Sequence, residues 1–161
     1  MTALGTTLAC AVTACAAAGA VAGLRRLRRT LVVVTVHGLS MQPAYQPGER
    51  VLVRRGRVPG RGGIVVVERP AAGEPHWART AAGLGSPAEG ADGRTWLIKR
   101  VAAVPGDVVP SPGGTPDAGT TSRVPKDSLY LLGDHARVSF DSRQCGFFPY
   151  ERVLGSVLRK L

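Results

Sequence analysis

The sequence predicts a mainly β, antiparallel domain that follows one N-terminal transmembrane helix. Three observations lead to this fold class: residues 3–24 carry no charge, β-branched apolar runs recur after residue 30, and Gly/Pro-rich segments separate those runs. No segment after residue 30 has a long apolar stripe with a 3.6-residue period, which disfavours a helical domain. We therefore expect a membrane anchor with a basic juxtamembrane segment over residues 1–29 and a β-rich domain over residues 30–161.

The first predicted element is an uncleaved single-pass anchor. In a helix that rises about 1.5 Å per residue, residues 3–24 are long enough to cross a hydrocarbon core of roughly 30 Å. No Lys or Arg precedes them, as the n-region of a secretory signal peptide would require. The anchor is followed by a cluster of basic side chains, Arg25, Arg26, Arg28 and Arg29. The positive-inside rule places such a cluster in the cytoplasm.

Six strands are predicted beyond the anchor, over residues 31–36, 50–54, 64–67, 95–104, 128–132 and 151–159. The first and third are nearly continuous apolar runs, and the second alternates between apolar and basic side chains. Residues 69–94 and 110–123 contain several prolines and no apolar period, so they are predicted to be mobile loops.

The lysines are few enough to be compared one by one as candidate bases. Arginine stays protonated in proteins, which leaves Lys99, Lys126 and Lys160. Lys126 lies in a predicted turn beside Asp127, and Lys160 is next to the last residue, so both are expected to be solvated and charged.

Lys99 has a different setting, inside the apolar run 95–101. Strand alternation puts it on the same face as Leu97 and Val101, which predicts a buried amine. Burial lowers a lysine pKa from about 10.4 towards roughly 7 to 8, where the neutral amine can act as a general base. The alternative is a half-exposed lysine whose stem extends along Leu97 and Val101 to water.

A serine lies where the chain must turn. Ser40-Met41-Gln42-Pro43 follows the first strand, and Pro43 prevents a helix from forming there. Such a turn exposes the Ser40 hydroxyl, so that Ser40 and Lys99 are candidates for a nucleophile and its base. By itself, Ser-Met-x-Pro also fits an ordinary turn.

Charge and composition limit the partners. The formal net charge is +10 and the pI is near 10.8, but only 5% of residues are aromatic and none interleave with basic residues to stack bases. Anionic membrane phospholipid is therefore the expected partner and nucleic acid is not; a basic surface that only maintains solubility is the alternative. The cysteines and histidines lack the spacing of a disulfide scaffold or metal site, so no metal is expected: Cys10, Cys15, Cys145, His37, His76 and His135. A Ser/Lys pair would also need no cofactor.

Four motifs in order make the sequence resemble the signal peptidase I family, in outline over residues 37–53 and 96–149. They are Ser40-Met41-x-Pro43; Pro47-Gly48-Glu49-x-Val51; Lys99-Arg100-Val101 with Pro105-Gly106-Asp107; and Gly133-Asp134 with Asp141-Ser142-Arg143, Gly146 and Pro149. The resemblance implies a membrane-anchored serine endopeptidase with a Ser/Lys dyad on an antiparallel β domain. Its substrates would be exported precursors that carry signal peptides, cut by a catalytic domain on the extracytoplasmic side of the cell membrane.

The resemblance also implies roles for individual residues. Ser40 matches the nucleophile, Lys99 the general base and Ser139 the serine that orients the lysine. Asp141 and Arg143 match a pair that braces the site, and Asp134 would support the same wall. Departures from the family pattern are Gly38 where many bacterial members carry an oxyanion-stabilising serine, Glu49 for aspartate, and His135 for asparagine.

Other interpretations stay open at this point. The chain is compact, which would also suit a dedicated maturation protease for one secreted protein or leader peptide. Outside the class, it could be a catalytically inactive, membrane-tethered β module that binds peptides. The arginine cluster after the anchor conflicts with an extracytoplasmic catalytic domain, because the positive-inside rule places that cluster in the cytoplasm.

Overall fold

The computed structural model describes residues 30–69, 88–89, 95–110 and 121–161, and they form a mainly β, antiparallel structure. The strands are β1 (Leu31–Thr35), β2 (Arg50–Arg55), β3 (Ile64–Glu68), β4 (Ala88–Glu89), β5 (Thr95–Ala103), β6 (Val108–Pro110), β7 (Thr121–Arg123), β8 (Ser128–Leu132), β9 (Phe148–Pro149) and β10 (Val153–Lys160). The helices in this part of the chain are one short α-helix, α1 (Ser142–Cys145), and two 3₁₀ turns, Ala136–Val138 and Tyr150–Arg152.

Eight strands build one sheet in the order β1-β2-β10-β3-β5-β8-β9, with β4 beside β5, while β6 and β7 form a separate pair. The C-terminal strand β10 lies between β2 and β3. Strand β5 is therefore interior, and β1 is an edge strand of the described sheet. Ser40 follows the edge strand, and Lys99 is carried by the interior strand.

The six predicted strands are all present. Strand β8 has the predicted bounds, and four others differ from them by one residue at an end. The last strand begins at Val153 rather than at residue 151, because Tyr150–Arg152 form a 3₁₀ turn before it. The prediction of a mainly β, antiparallel domain is confirmed for the described residues.

The prediction of loops at 69–94 and 110–123 is wrong at three places, one of which is Pro110, the last residue of strand β6. Thr121–Arg123 form strand β7, which pairs with β6. Because this pairing uses backbone groups and leaves two of the three side chains exposed, it produces no apolar pattern in the sequence. Ala88–Glu89 form β4 and pair with β5.

Other predicted segments lie outside the described residues: the anchor at 3–24, and 70–87, 90–94 and 111–120 of the two loops. Within the described ranges, no helix has the length and apolar character needed to span a membrane.

Apolar side chains cover both faces of the sheet, which explains the continuous Ile64–Val67 run in β3. Val65 and Val67 belong to one core with Val101, Leu129, Leu131, Phe140, Cys145 and Phe148. Val66 points to the opposite face, into a second core with Val36, Val51 and Val53. Lys99 pairs with Val65 across β3 and β5 and therefore faces the first core.

Candidate active site

The turn that carries Ser40 is held at both ends. The Val36 N–H donates to the Glu49 carbonyl at 2.8 Å, which closes the loop after β1. Inside that loop, the Tyr45 N–H donates to the Met41 carbonyl at 2.9 Å, and the Met41 side chain is only 1% exposed. The buried Met41 thus fixes the backbone directly after Ser40, whose own side chain remains half-buried at the surface of the domain.

Lys99 is buried, as predicted, with 1% of its surface exposed. Its Nζ donates to Ser40 Oγ at 2.9 Å and to Ser139 Oγ at 3.0 Å, so one amine contacts two hydroxyls from distant parts of the chain. Lys126 and Lys160 are exposed, as predicted, and Lys160 pairs with Glu49 at 2.8 Å. Within the described residues, Lys99 is the lysine that meets a serine in a buried place.

The surroundings of Lys99 lower its pKa to about 8. Burial is the largest cause, because it disfavours the ammonium form. The charge of Asp141 and the nearby Cys145 act in the opposite direction, while Arg143 and Arg69 lower the pKa of Lys99 further. An amine with this pKa is substantially neutral in mildly alkaline solution.

Asp141 organises the other side of the site. Its fully buried carboxylate accepts from Ser139 Oγ at 2.6 Å, from the Gly133 N–H at 2.9 Å, and from Arg143 Nε and Nη2 at 2.9 and 2.7 Å. Burial opposes ionisation, but the Arg143, Gly133 and Ser139 hydrogen bonds outweigh it and hold the pKa of Asp141 below its ordinary value. Ser139 therefore donates to Asp141 and accepts from Lys99.

Helix α1 places this carboxylate, although no helix was predicted at Ser142–Cys145. Asp141 is the N-cap and Gln144 completes a capping box, a pattern that Asp-x-x-Gln indicates. Ser142 was also missed: its buried Oγ accepts from the Leu131 N–H at 2.7 Å and ties the helix to β8. The Asp141–Arg143 pair thus spans the start of a helix and does not lie on a strand.

Gly133 lets two segments approach each other closely. A Cβ at this position would overlap Ser139 Oγ and come within 2.6 Å of the Ser40 carbonyl oxygen. That same carbonyl accepts from the His135 N–H at 3.0 Å. Segment 133–135 therefore packs directly on the Ser40 turn. The His135 Nδ1 is buried and has no hydrogen-bond partner among the described residues.

Asp134 does not join the cluster around Lys99. It forms a two-pronged ion pair with Arg100, Nε to Oδ1 at 2.8 Å and Nη2 to Oδ2 at 2.7 Å, and Arg100 also donates to the Gly62 carbonyl. Arg100 follows Lys99 on β5 and so faces the other side of the sheet. The structure thus places Asp134 behind the site, where Arg100, a residue that sequence reasoning did not assign, connects it to β5.

Gly38 leaves open space near the hydroxyl, and Ser40 leaves a backbone N–H free there. Gly38 has φ +74°, a left-handed conformation that favours glycine, and a Cβ there would meet no atom within 4 Å. The Ser40 N–H donates to no acceptor in the described part of the chain. This donor is available to an oxygen placed next to the Ser40 hydroxyl.

Other nucleophiles and metal ligands do not gather here. Burial raises the pKa of the Cys145 thiol to about 12, and its Sγ donates to the Asp141 carbonyl at 3.1 Å. Among the described residues, no three His, Cys, Asp or Glu side chains are close enough to hold a metal ion. His76 lies outside the described residues.

Comparison with known proteins identifies the family of this chain. The family model for signal peptidase, peptidase S26, matches residues 7–115 and 110–160. None of the curated proteins compared with the chain matches it. Members of the matched family are serine peptidases, and the match extends over nearly the whole chain. The chain therefore belongs to the signal peptidase family, peptidase S26.

Proposed function

We propose that this chain is a signal peptidase I-like serine endopeptidase that removes N-terminal signal or leader peptides from exported proteins. Ser40 is the nucleophile and Lys99 the general base. The observation that carries the proposal is the 2.9 Å contact between Lys99 Nζ and Ser40 Oγ, made by an amine that is 1% exposed. A base within hydrogen-bond reach of a hydroxyl is the arrangement that nucleophilic catalysis by serine needs.

The reaction proceeds through an acyl-enzyme. Neutral Lys99 takes the Ser40 hydroxyl proton while Oγ bonds to the carbonyl carbon of the scissile peptide. The Lys99 ammonium then gives that proton to the departing amine, and the C–N bond breaks. Water attacks the resulting ester, with Lys99 taking its proton and returning it to Ser40 Oγ. Neither a cofactor nor a metal takes part in these steps.

The supporting residues have separate tasks. Ser139 orients the Lys99 amine, because its hydroxyl accepts from Nζ and is itself fixed by Asp141. Arg143 keeps Asp141 ionised through two hydrogen bonds. The free Ser40 N–H stabilises the oxyanion, and the open space at Gly38 leaves room for the substrate.

Strand β1 is the docking edge for the substrate. It pairs with β2 on one side and, within the described sheet, has no strand on the other. Its chain continues directly into the Ser40 turn, so a peptide added along this edge would pass the hydroxyl. Main-chain hydrogen bonds would provide affinity, and small apolar pockets would select side chains such as Ala before the cut.

Anionic phospholipid is the proposed surface partner. One surface of the β1-β2-β10 region carries both apolar and basic side chains. Val33 on β1 is 42% exposed and pairs with Leu52 on β2, and Leu52 pairs in turn with Arg159 on β10. Arg50 and Arg54 are exposed two residues to either side of Leu52, on the same face. Apolar side chains flanked by arginines suit a headgroup region with negative charge, and the proposed anchor at residues 3–24 precedes β1 in the sequence.

Alanine variants of the dyad test the function. Ser40→Ala and Lys99→Ala should each abolish cleavage of a precursor with a signal peptide, whereas Lys126→Ala should retain wild-type rates because Lys126 is exposed. Cleavage is followed by mass spectrometry of the released leader, with circular dichroism to verify folding. Wild-type activity in Lys99→Ala would contradict the dyad.

Two further readouts separate the remaining functions. An acylating reagent directed at serine peptidases should label Ser40 in the folded wild-type chain. A folded chain that is not labelled and cuts no precursor would instead be an inactive peptide-binding module. A panel of exported precursors then separates a general peptidase, which cuts many, from a maturation protease dedicated to one.

A further inference from the structure

Arg69 lies on the Lys99 face of the sheet, at the end of strand β3. Val65 is directly opposite Lys99, Val67 is opposite Leu97, and the Arg69 N–H continues the ladder by donating to the Thr95 carbonyl at 2.7 Å. Residues that alternate along a strand share a face, so Arg69 belongs to the row that begins at Val65. It is a cation placed at the rim of the core into which Lys99 points.

The Arg69 guanidinium stacks on a residue inside the catalytic cluster. Its Cζ is 5.1 Å from the centre of the Phe140 ring. Phe140 is 6% exposed and lies in the chain between Ser139, which accepts from Lys99, and the buried Asp141. A guanidinium over an aromatic ring is attracted by the negative face of the ring, and the attraction is stronger where the pair is desolvated. Arg69 therefore holds the middle of the segment whose two neighbouring residues position the Lys99 amine.

The charges that surround Lys99 make the Arg69 cation relevant to its protonation. Those charges come from Asp141, Arg143 and Arg69, and the thiol of Cys145 is the other titratable group that affects Lys99. Arg143 is paired with Asp141 at 2.7 Å, and the two charges shift the pKa of Lys99 in opposite directions, so their effects partly cancel. Arg69 comes from a different strand, and its positive charge lowers the pKa of Lys99.

We propose that Arg69 is a positioning residue for the peptidase reaction: it fixes segment 139–141 through Phe140, and its charge opposes a second positive charge on Lys99. The inference rests on the proposed function and deepens it, because it assigns part of the control of the general base to a residue outside the proposed dyad.

The test is the pH profile of kcat/KM for the full chain in detergent, with a peptide that spans a signal-peptide cleavage site. Arg69→Gln should raise the apparent pKa of the limb on which kcat/KM rises with pH by about half a unit. The value of kcat/KM at pH 7 should then fall about threefold, while the value near pH 10 changes little. Arg69→Lys, which keeps the charge, should restore the wild-type limb. Arg55→Gln is the matched control, because Arg55 is an exposed arginine on β2.

The outcomes are distinguishable. A folded Arg69→Gln variant with an unshifted limb, or an equal shift in Arg69→Lys, would overturn the role of Arg69 and leave the dyad intact. Absence of Ser40-dependent cleavage in the wild type would overturn the proposed function instead. If Arg69→Gln does not fold, Arg69→Met, whose stem can still cover Phe140, is measured in the same way.

Discussion

At the level of single residues, the protonation of Lys99 should control the rate. The pKa of Lys99 is about 8, and the proposed mechanism needs the neutral form of its amine. We therefore expect kcat/KM to rise about tenfold per pH unit below pH 8 and to level off above it. Initial rates between pH 6 and 10 measure this profile, and a rate independent of pH from 6 to 9 would contradict it.

The same amine should also lower the stability of the fold near neutral pH. Its pKa is about 8 in the folded chain against an ordinary value of 10.5, so between these values the unfolded state binds a proton that the folded state has released. Stability attributable to Lys99 consequently rises with pH across that window, by roughly 3 kcal/mol in total. Below pH 8 the full destabilisation is present.

Lys99→Met removes this titration and should be inactive. We compare the free energy of unfolding of the variant with that of the wild type at two pH values. Whatever this difference is at pH 7, it should be roughly 3 kcal/mol less favourable to the variant at pH 10.5. Denaturant unfolding of the full chain at both pH values measures the change. Parallel pH dependence in the two proteins would show that Lys99 has an ordinary pKa.

Residues differ in how far the sequence predicts their setting. Strand alternation sufficed for the burial of Lys99, because the face of β5 that carries it is buried from Lys99 to Ala103. The Arg100–Asp134 pair could not be predicted in the same way, since its partners are 34 residues apart and no local pattern relates them. The roles of Ser139 and Asp141 came only from family resemblance, although the structure places Ser139 against Lys99 and Asp141 against Ser139.

At the level of elements, the site depends on two segments that approach each other closely. Gly133→Ala should reduce kcat/KM by two orders of magnitude or more, because the added methyl group would displace Ser139 and the Ser40 carbonyl. Overpacking of this kind also destabilises by about 1 to 3 kcal/mol. Gly60→Ala is the control, since a Cβ at Gly60 meets nothing within 4 Å. Equal activity in both variants would contradict the close approach.

Elements with an apolar face were predictable, and polar ones were not. The strands β2, β3, β5 and β8 bury valines or leucines and gave a clear pattern. Strand β7 and helix α1 are held by backbone pairing and a capping box, which leave a weaker trace in sequence. The capping pattern at Asp141 was readable, but its meaning depends on the carboxylate also reaching Gly133 and Ser139.

At the level of the whole molecule, the order of the strands assembles the site. Strand β10 separates β2 from β3, so the edge strand that leads to Ser40 and the interior strand that carries Lys99 are not neighbours. Ser40 and Lys99 meet across 59 residues because the Ser40 turn folds back onto segment 133–135. No periodicity predicts such a connection, since it depends on the packing of loops and not on strand propensity.

The orientation of the chain in the membrane is the most consequential prediction at this scale. Processing of exported precursors requires residues 30–161 on the extracytoplasmic side, although the arginines that follow residue 24 favour the cytoplasm. We expect residues 30–161 to lie on the extracytoplasmic side, with the arginine cluster against anionic headgroups of the outer leaflet. A C-terminal tag should then be digested by protease added to cells whose outer barriers are removed but whose cell membrane is intact, while a cytoplasmic marker protein survives. A tag that is protected until detergent is added would contradict both the orientation and the processing of exported proteins, because a cytoplasmic hydroxyl could not reach a cleavage site on the other side of the bilayer.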